Sequence, residues 1–421
     1  MPPGSVSSAQ ATSESRLRSA VNSIAPKEHI QGLRNVFLGR IVSVPQIDCG
    51  VLSARSLLSM QPITITGRES GALKFDFLVF VGRFRPFHLG HLAVMQRALS
   101  LGRHLIVLVG SSRQARSHRN PFRFEEVRSC ITGAFTPEEC ERITVLPLID
   151  RYNDLEWIRD VQGAVHGVVV QHHRPADGSA PRVGLIGHSK DHSSYYLRMF
   201  PQWGSVECMN CRGISATPIR DAYFADAAAA LEAWKEALPA NVATFMAEFA
   251  RTDEYKRMAE ESAYIAKYKS GWANAPYPPT FLTADAVVVL SGHVLLVERR
   301  GLPGRGLLAL PGGFVGQHER IKDAMIRELR EETKLKIPAG FLEGGIRASQ
   351  TFDHPYRSSR GRTVTQAFLI QLKATDEGFP KVRGGDDAKS ARWMPIAEID
   401  PERMFEDHFH IIQTLIAQAD A

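Results

Sequence analysis

From Phe75 to Ile186 the chain alternates short apolar runs with helical patterns, and that alternation restricts its fold more than any other feature. The runs are Phe77 to Val81, Leu105 to Val109, Ile143 to Leu148, Gly167 to Val170 and Val183 to Ile186. Strands separated by helices imply βαβ units, hence a parallel sheet covered on both faces. Ligands of such sheets sit beyond the carboxyl ends of the strands, so a site belongs in the loops that follow those runs. Helical patterns from Ala227 to Trp234 and around Val242 to Tyr255 close this unit, which is assigned residues 71–264.

The segment Lys267 to Thr280 reads KYKSGWANAPYPPT, whose glycine and prolines break helical periodicity, and a linker is placed at 265–280. A different pattern follows. The β-rich runs Ala286 to Leu290 and His293 to Glu298 flank Ser291-Gly292, a hairpin signal. A Gly-rich loop, a long helix and more strands complete a mixed α/β unit at 281–421. Residues 1–70 hold seven serines in the first 23 positions and little periodicity, which reads as a disordered extension. A transit peptide is the alternative, with its helix confined to 15–24.

Composition narrows the function classes. Lys and Arg total 51 against 45 Asp and Glu, a net charge of +6 that suits an enzyme of anionic phosphates and falls short of a nucleic-acid binder's basic stripe. No apolar run approaches the roughly 18 residues of a membrane span. Five irregularly spaced cysteines point to a reducing, cytoplasmic setting. Cys208 and Cys211 supply only two of a zinc site's four ligands and are read as structural. Oligomeric state stays open, with a homo-oligomer allowed.

After the first apolar run comes Gly82-Arg83-Phe84-Arg85-Pro86-Phe87-His88-Leu89-Gly90-His91, then a helical stretch. A helix N-terminus carries unpaired N–H groups and a partial positive charge, and a strand-to-helix turn aims both above the sheet, where phosphate is the natural occupant. His88 and His91, three apart, share a face of the first turn and can donate hydrogen bonds to phosphate oxygens. Gly90 admits close approach to the backbone.

The ten-residue pattern resembles the HxGH nucleotidyltransferase superfamily. Gly110-Ser111-Ser112, Asn120-Pro121-Phe122, Arg151-Tyr152-Asn153-Asp154 with Trp157, Lys190-Asp191-His192 and Ile214-Ser215-Ala216-Thr217-Pro218-Ile219-Arg220 resemble its archaeal-type nicotinamide mononucleotide adenylyltransferases. The resemblance implies a Rossmann-like fold and transfer of AMP from ATP to nicotinamide mononucleotide, giving NAD and pyrophosphate with Mg²⁺. It implies that His88 and His91 contact the ATP phosphates, that Ser215, Thr217 and Arg220 hold the leaving pyrophosphate, and that Trp157 stacks on nicotinamide with Asn153 and Asn120 as selectors. Gly82, Arg83, Phe84, Gly90, Lys190 and Asp191 complete the implied binding set. Arg85 stands where that pattern has Gln, and Ala216 where it commonly has Ser.

In the second unit Glu328, Glu331 and Glu332 fall at i, i+3 and i+4 of a helix, within an arc of about 100°. Clustered carboxylates repel unless compensated, and hard divalent cations prefer such oxygens. Counter-arginines on a solvated acidic face are the plainer reading of the charges alone. The spacing Gly313, five residues, Glu319, seven residues, Arg327-Glu328-Leu329, one residue, Glu331-Glu332 resembles the Nudix box, with Lys334 at its usual second glycine.

That resemblance implies an α/β/α sandwich with a mixed sheet and hydrolysis of a nucleoside diphosphate derivative. Glu328, Glu331 and Glu332 would hold Mg²⁺ or Mn²⁺, Glu319 would support them and Arg327 would orient a carboxylate. Arg299-Arg300, Pro303-Gly304 and the run from Thr351 to Arg362 resemble the Nudix half of bifunctional bacterial proteins acting on ADP-ribose, with Arg357, Arg360 and Arg362 as candidate diphosphate contacts. The expectation is a bifunctional enzyme handling ATP, nicotinamide mononucleotide, NAD and ADP-ribose. The rivals are an HxGH transferase with another acceptor and a Nudix domain serving as an ADP-ribose-sensing transcription regulator.

Overall fold

The strand Phe75–Gly82 (β1) lies at the centre of a five-stranded sheet, which is why its apolar run is continuous and not alternating: Leu78 and Val79 are both fully buried. The computed structural model describes residues 73–175, 178–187, 199–208, 213–374 and 378–419. The extension assigned to 1–70 lies outside them, as do Lys190, Asp191 and Cys211. Among the described residues no helix is long and apolar enough to cross a membrane.

Helix Leu89–Leu101 (α1) leads to β2 (Gly102–Val109), Phe124–Thr132 (α2), Pro137–Cys140 (α3) and β3 (Ile143–Pro147). Asp154–His172 (α4), β4 (Val183–Gly187), β5 (Gly204–Glu207), Ala216–Ala225 (α5), Ala227–Ala233 (α6), Ala240–Phe249 (α7) and Asp253–Ser270 (α8) complete the first half. All sheet pairings are parallel in the order β3-β2-β1-β4-β5. The chain order reverses beside β1, so the carboxyl ends of β1 and β4 open a crevice where a Rossmann-like sheet takes its ligand.

Two sequence expectations need correction here, and one strand was not foreseen. Gly167 to Val170 is not a strand but the end of α4, whose buried face is Val161, Val165 and Val168; Val170 is 56% exposed. The β-branched run concealed a helical spacing of four and three. The missing strand is β5, GSVE, an edge segment with too little apolar character to be seen in the sequence. Helix α8 runs to Ser270, past the linker boundary placed at 265, because no breaking residue precedes Gly271.

The second half forms one mixed sheet, β10-β11-β6-β7-β12, from β6 (Thr280–Leu290), β7 (His293–Arg299), β10 (Ile346–Phe352), β11 (Arg362–Gln371) and β12 (Ala388–Pro395). The short β8 (Leu308–Ala309) and β9 (Gly312–Phe314) pair with β7 and β6. The hairpin at Ser291-Gly292 has φ of 46° and 72°, the left-handed pair a two-residue turn requires. Helix Ile321–Thr333 (α9) covers one face through Ala324, Met325 and Leu329. Ala339–Gly344 (α10) follows it. Helix His408–Ala419 (α11) covers the other face through Ile411, Ile412 and Leu415, giving the α/β/α sandwich.

Polar contacts join the halves. Gly304 N–H donates to the buried Glu261 carboxylate at 2.8 Å, and Arg305 pairs with Glu260 at 3.2 Å. Arg119 reaches the carbonyls of Tyr356 and Ser358 at 3.3 and 3.4 Å, while the Tyr152 ring lies 4.7 Å from that of His354 and 4.8 Å from that of His410.

Candidate functional site

The first site is the β1–α1 turn. Its backbone is fixed by Arg85, which is 1% exposed and donates to the carbonyls of Phe122 at 2.7 Å, Gly110 at 2.7 Å and Arg83 at 3.2 Å. Burial lowers its pKa to about 10. The residue that replaces the expected Gln is therefore a staple between the turn and the loop after β2, with its donors turned onto carbonyls.

His88 caps α1, and its ring stacks on that of His91 with centroids 3.6 Å apart. The His88 backbone N–H approaches His91 Nδ1 at 3.4 Å, which favours the tautomer with hydrogen on Nε2 and leaves that nitrogen as a donor. Burial, then the neighbouring His88, hold the His91 pKa well below its ordinary value, so the ring is neutral. Gly90 has a reason beyond ligand approach: a Cβ there would meet the His88 ring at 3.0 Å. Phe84 is buried and packs edge-on against His91 at 4.9 Å, a wall of the histidine pair.

Helix α5 brings the second motif alongside. Arg220 is 8% exposed and donates through Nη1 to the Arg85 carbonyl at 3.1 Å and through Nη2 to Thr217 Oγ1 at 3.4 Å. Burial, then the Arg83 charge, lower its pKa to about 10. Ser215 occupies the cap position of α5 without a side-chain cap bond. The HxGH turn and the ISATPIR segment thus meet through the Arg85–Arg220 contact.

The expected nicotinamide residues are more dispersed. Asn120 is buried and donates through Nδ2 to the Ser111 carbonyl at 3.1 Å. Asn153 is exposed, and its Oδ1 accepts from Leu155 and Glu156 N–H at 2.9 and 3.2 Å, so its oxygen caps α4 and is not free to select a base. Trp157 is half-buried on the first turn of α4, with its ring 5.9 Å from that of Phe200. Asp150 was not anticipated; it accepts from Ser111 N–H at 2.8 Å and Ser111 Oγ at 2.6 Å, and fixes the loop after β2.

The second site is an arginine surrounded by carboxylates. Arg327 donates to Glu319 at 2.7 and 3.0 Å, to Glu328 at 2.8 Å and to Glu331 at 3.0 Å. This is the compensation that an i, i+3, i+4 acidic cluster requires, and it comes from the same helix. The bond to Arg327 pushes the Glu319 carboxyl down to about 2, while the Arg327 pKa rises. A Cβ at Gly313 would lie 2.5 Å from the Glu328 carboxylate, so any side chain there would displace that carboxylate from its bond to Arg327.

Glu332 differs from its neighbours. It is 7% exposed, accepts one hydrogen bond among the described residues, from Gly312 N–H at 3.0 Å, and burial pushes its pKa up to about 8. Asp285, buried beside Gly312, is raised to about 6 chiefly by burial and accepts from Thr365 Oγ1 at 2.5 Å. An acid inside the otherwise apolar run TADAVVVL was the sequence signal for it. Lys334 ends α9 with φ 52° and ψ 27°, the left-handed conformation for which glycine is favoured, at a cost of up to ~1 kcal/mol.

As placed, the carboxylates converge on the guanidinium, and no three acidic, His or Cys side chains among the described residues share a ligating geometry. The donor set still fits a hard divalent cation: oxygens alone, on one helix face, with Glu332 a buried carboxylate lacking a cationic hydrogen-bond partner.

The three loop arginines separate. Arg357 does not open toward a ligand: its side chain is 3% exposed and its Nε and Nη2 both bond Asp407 at 2.8 Å, because a buried guanidinium needs a counter-charge. Arg362 bonds the Asp353 carbonyl. Arg360 lies over the Phe314 ring at 5.2 Å, with Nε buried and without a partner among the described residues, and its charge bears on the buried Asp285. Arg357→Met should leave Asp407 buried and unpaired, costing about 3–5 kcal/mol. Denaturant melts of it and of the double variant Arg357→Met/Asp407→Leu check this, the double variant recovering most of the loss.

The family profile for the NUDIX domain matches residues 280–415, and that for cytidylyltransferase-like proteins matches 79–222. The nicotinamide/nicotinic acid mononucleotide adenylyltransferase of Acinetobacter baylyi is 38% identical over 189 residues, 45% of this chain and 94% of its own. The ADP-ribose pyrophosphatase of Methanocaldococcus jannaschii is 29% identical over 132 residues, 30% of this chain and 72% of its own. A bifunctional NMN adenylyltransferase/ADP-ribose pyrophosphatase from Francisella tularensis, crystallised with AMP and a Mn ion, superposes with a TM-score of 0.75 at 31% identity, covering 82% of this chain and 99% of that one.

Proposed function

The chain belongs to the family of bifunctional nicotinamide mononucleotide adenylyltransferases/ADP-ribose pyrophosphatases, and we propose that each half carries out the reaction its site is built for. The first transfers AMP from ATP to nicotinamide mononucleotide, forming NAD and pyrophosphate. The second hydrolyses ADP-ribose to AMP and ribose 5-phosphate. The observation that carries the first assignment is the stacked His88–His91 pair at the start of α1, joined through Arg85 to Arg220 and Thr217 at the start of α5.

In the transfer, the 5′-phosphate of nicotinamide mononucleotide attacks the α-phosphorus of ATP and pyrophosphate leaves. The nucleophile is already an anion, so the protein's task is to bring two repelling phosphates into line and to neutralise charge as it spreads. His91 Nε2–H is the donor for a phosphate oxygen, and its neutrality spares it the cost of a buried charge in the empty site. Arg220, Ser215 and Thr217 receive the leaving pyrophosphate at the N-terminus of α5, where backbone N–H groups and the helix dipole favour an anion.

In the hydrolase, Glu328, Glu331 and Glu332 would hold the divalent cation, for which we propose Mg²⁺. A cation held there would supply a lowered water pKa and polarisation of the diphosphate. Arg327 keeps the acidic side chains gathered while no cation is present, Gly312 orients Glu332, and Arg360, with its unpartnered Nε, is the arginine we assign to the diphosphate. The thiols and the mild charge agree with a cytoplasmic enzyme of small nucleotides.

The test is direct. The purified full chain is assayed with Mg²⁺ against nicotinamide mononucleotide plus ATP, and separately against ADP-ribose, NADH and nucleoside triphosphates. NAD formation and AMP release from ADP-ribose are expected. Adenylylation of a different acceptor with no NAD would reassign the first half, and tight duplex DNA binding without ADP-ribose turnover would reassign the second.

A further inference from the structure

The turn from Ser117 to Asn120 is closed by reciprocal backbone bonds, Asn120 N–H to Ser117 O at 3.0 Å and Ser117 N–H to Asn120 O at 3.3 Å. Arg85 staples the segment carrying it to the HxGH turn at both ends, through Gly110 O and Phe122 O. The turn's two long side chains part company. Arg119 goes to the Nudix half, and His118 is buried, 9% exposed, on the transferase half. His118 lies between Gly110-Ser111-Ser112 and Asn120-Pro121-Phe122, and the transfer steps assigned to His91, Ser215, Thr217 and Arg220 leave it without a role.

Three side chains here share a pattern. His118, Asn120 and Arg220 are each more than nine-tenths buried, and each keeps one polar atom without a partner among the described residues: His118 Nδ1, Asn120 Oδ1 and Arg220 Nε. Asn120 and Arg220 are anchored through their other atoms, to Ser111 O, Arg85 O and Thr217 Oγ1, so they are not loose side chains that missed a bond. Buried polar atoms are nearly always satisfied, and these exceptions need an explanation; His118 and Asn120 share one turn, and the Arg220 charge bears on His118.

The atoms also have a chemistry. Arg220 Nε can only donate, Asn120 Oδ1 can only accept, and an imidazole Nδ1 can do either. A nucleotide supplies both counterparts, phosphate oxygens that accept and ribose hydroxyls that donate. The surrounding charge selects the anion: burial and then Arg119, Arg220 and Lys269 lower the His118 pKa to about 3, while Arg83 and Arg119 bear on Arg220, and Asp221 is the acid acting on it. Like charges brought together in a buried place are expected where an anion is to be bound.

We propose that His118 is a substrate-contacting residue of the transferase half, its Nδ1–H donating to a phosphate oxygen of the bound nucleotide beside Arg220 Nε. This rests on the transferase reading above. The experiment uses the full chain with His118→Leu, His118→Asn and His118→Gln, measuring kcat and KM for ATP and for nicotinamide mononucleotide. ADP-ribose hydrolysis and the melting temperature serve as controls on folding. The Asn amide places its nitrogen near the position of Nδ1, whereas Gln reaches toward that of Nε2.

His118→Leu and His118→Gln are expected to raise KM for one of the two nucleotides by about tenfold or more, and His118→Asn to stay within about threefold of the parent. Hydrolysis should be unchanged in all three. The contrast between Asn and Gln keeps the test alive even where leucine disturbs the turn. Parent kinetics in His118→Leu, or an equal loss in Asn and Gln, overturns the assignment while the parent remains an active transferase. A parent that makes no NAD overturns the transferase reading, and this assignment with it.

Discussion

His91→Ala is expected to lower the kcat of NAD formation by roughly 10²–10³-fold and to leave ADP-ribose hydrolysis at the parent rate. The size follows from what the ring does. Its Nδ1 faces the His88 N–H at 3.4 Å, which favours hydrogen on Nε2 and orients that donor before any nucleotide arrives. A preoriented donor in a water-poor turn costs nothing to reorganise as charge develops, and losing one has effects of that order. Alanine is a good helix former and removes no carbonyl acceptor, so α1 should persist. Steady-state assays of both reactions on one preparation check the prediction. Loss of both activities in a protein that melts like the parent would show that the two sites are not separate.

The Rossmann-like sheet was legible because its central strands are buried on both faces and read as unbroken apolar runs: β1 and β2 were located to within a few residues. The same rule misplaced Gly167 to Val170, since a valine-rich helix end produces an equally apolar stretch, and only the spacing of Val161, Val165 and Val168 separates the two. Strand β5 had no such run to offer. Residue types at fixed spacing revealed both sites, but not the use each side chain makes of its neighbours. Arg357 and Arg360 are alike in sequence, and what divides them is Asp407, fifty residues away, which binds the first and not the second. Likewise the sequence marks Arg85 only as standing where the pattern has Gln, and it is a staple because three carbonyls from separate segments face it. Contacts of that kind depend on which chain segments meet, and local pattern does not encode them.

Glu332→Gln should have the reverse effect to His91→Ala, lowering ADP-ribose hydrolysis by at least about 100-fold, beyond the usual cost of losing an outer residue around a metal, while NAD formation is retained. Gln is close in shape and its carbonyl can still accept from Gly312 N–H, which the carboxylate now does at 3.0 Å. What disappears is the negative charge, and in metal-free protein that charge is a burden. Burial raises the Glu332 pKa to about 8, above its unfolded value, so the stability it contributes is complete at low pH and is lost as pH rises toward that figure. Gln never ionises. In the presence of a chelator, the variant's melting temperature should therefore gain on the parent's as pH increases from about 5 to about 8, and the gain should shrink when Mg²⁺ is restored to the parent, because a bound cation repays the buried charge. The two readouts belong together: an inactive Gln variant that is also less stable than the parent across this range would mean that Glu332 supports the fold, and that the divalent cation is held by other residues.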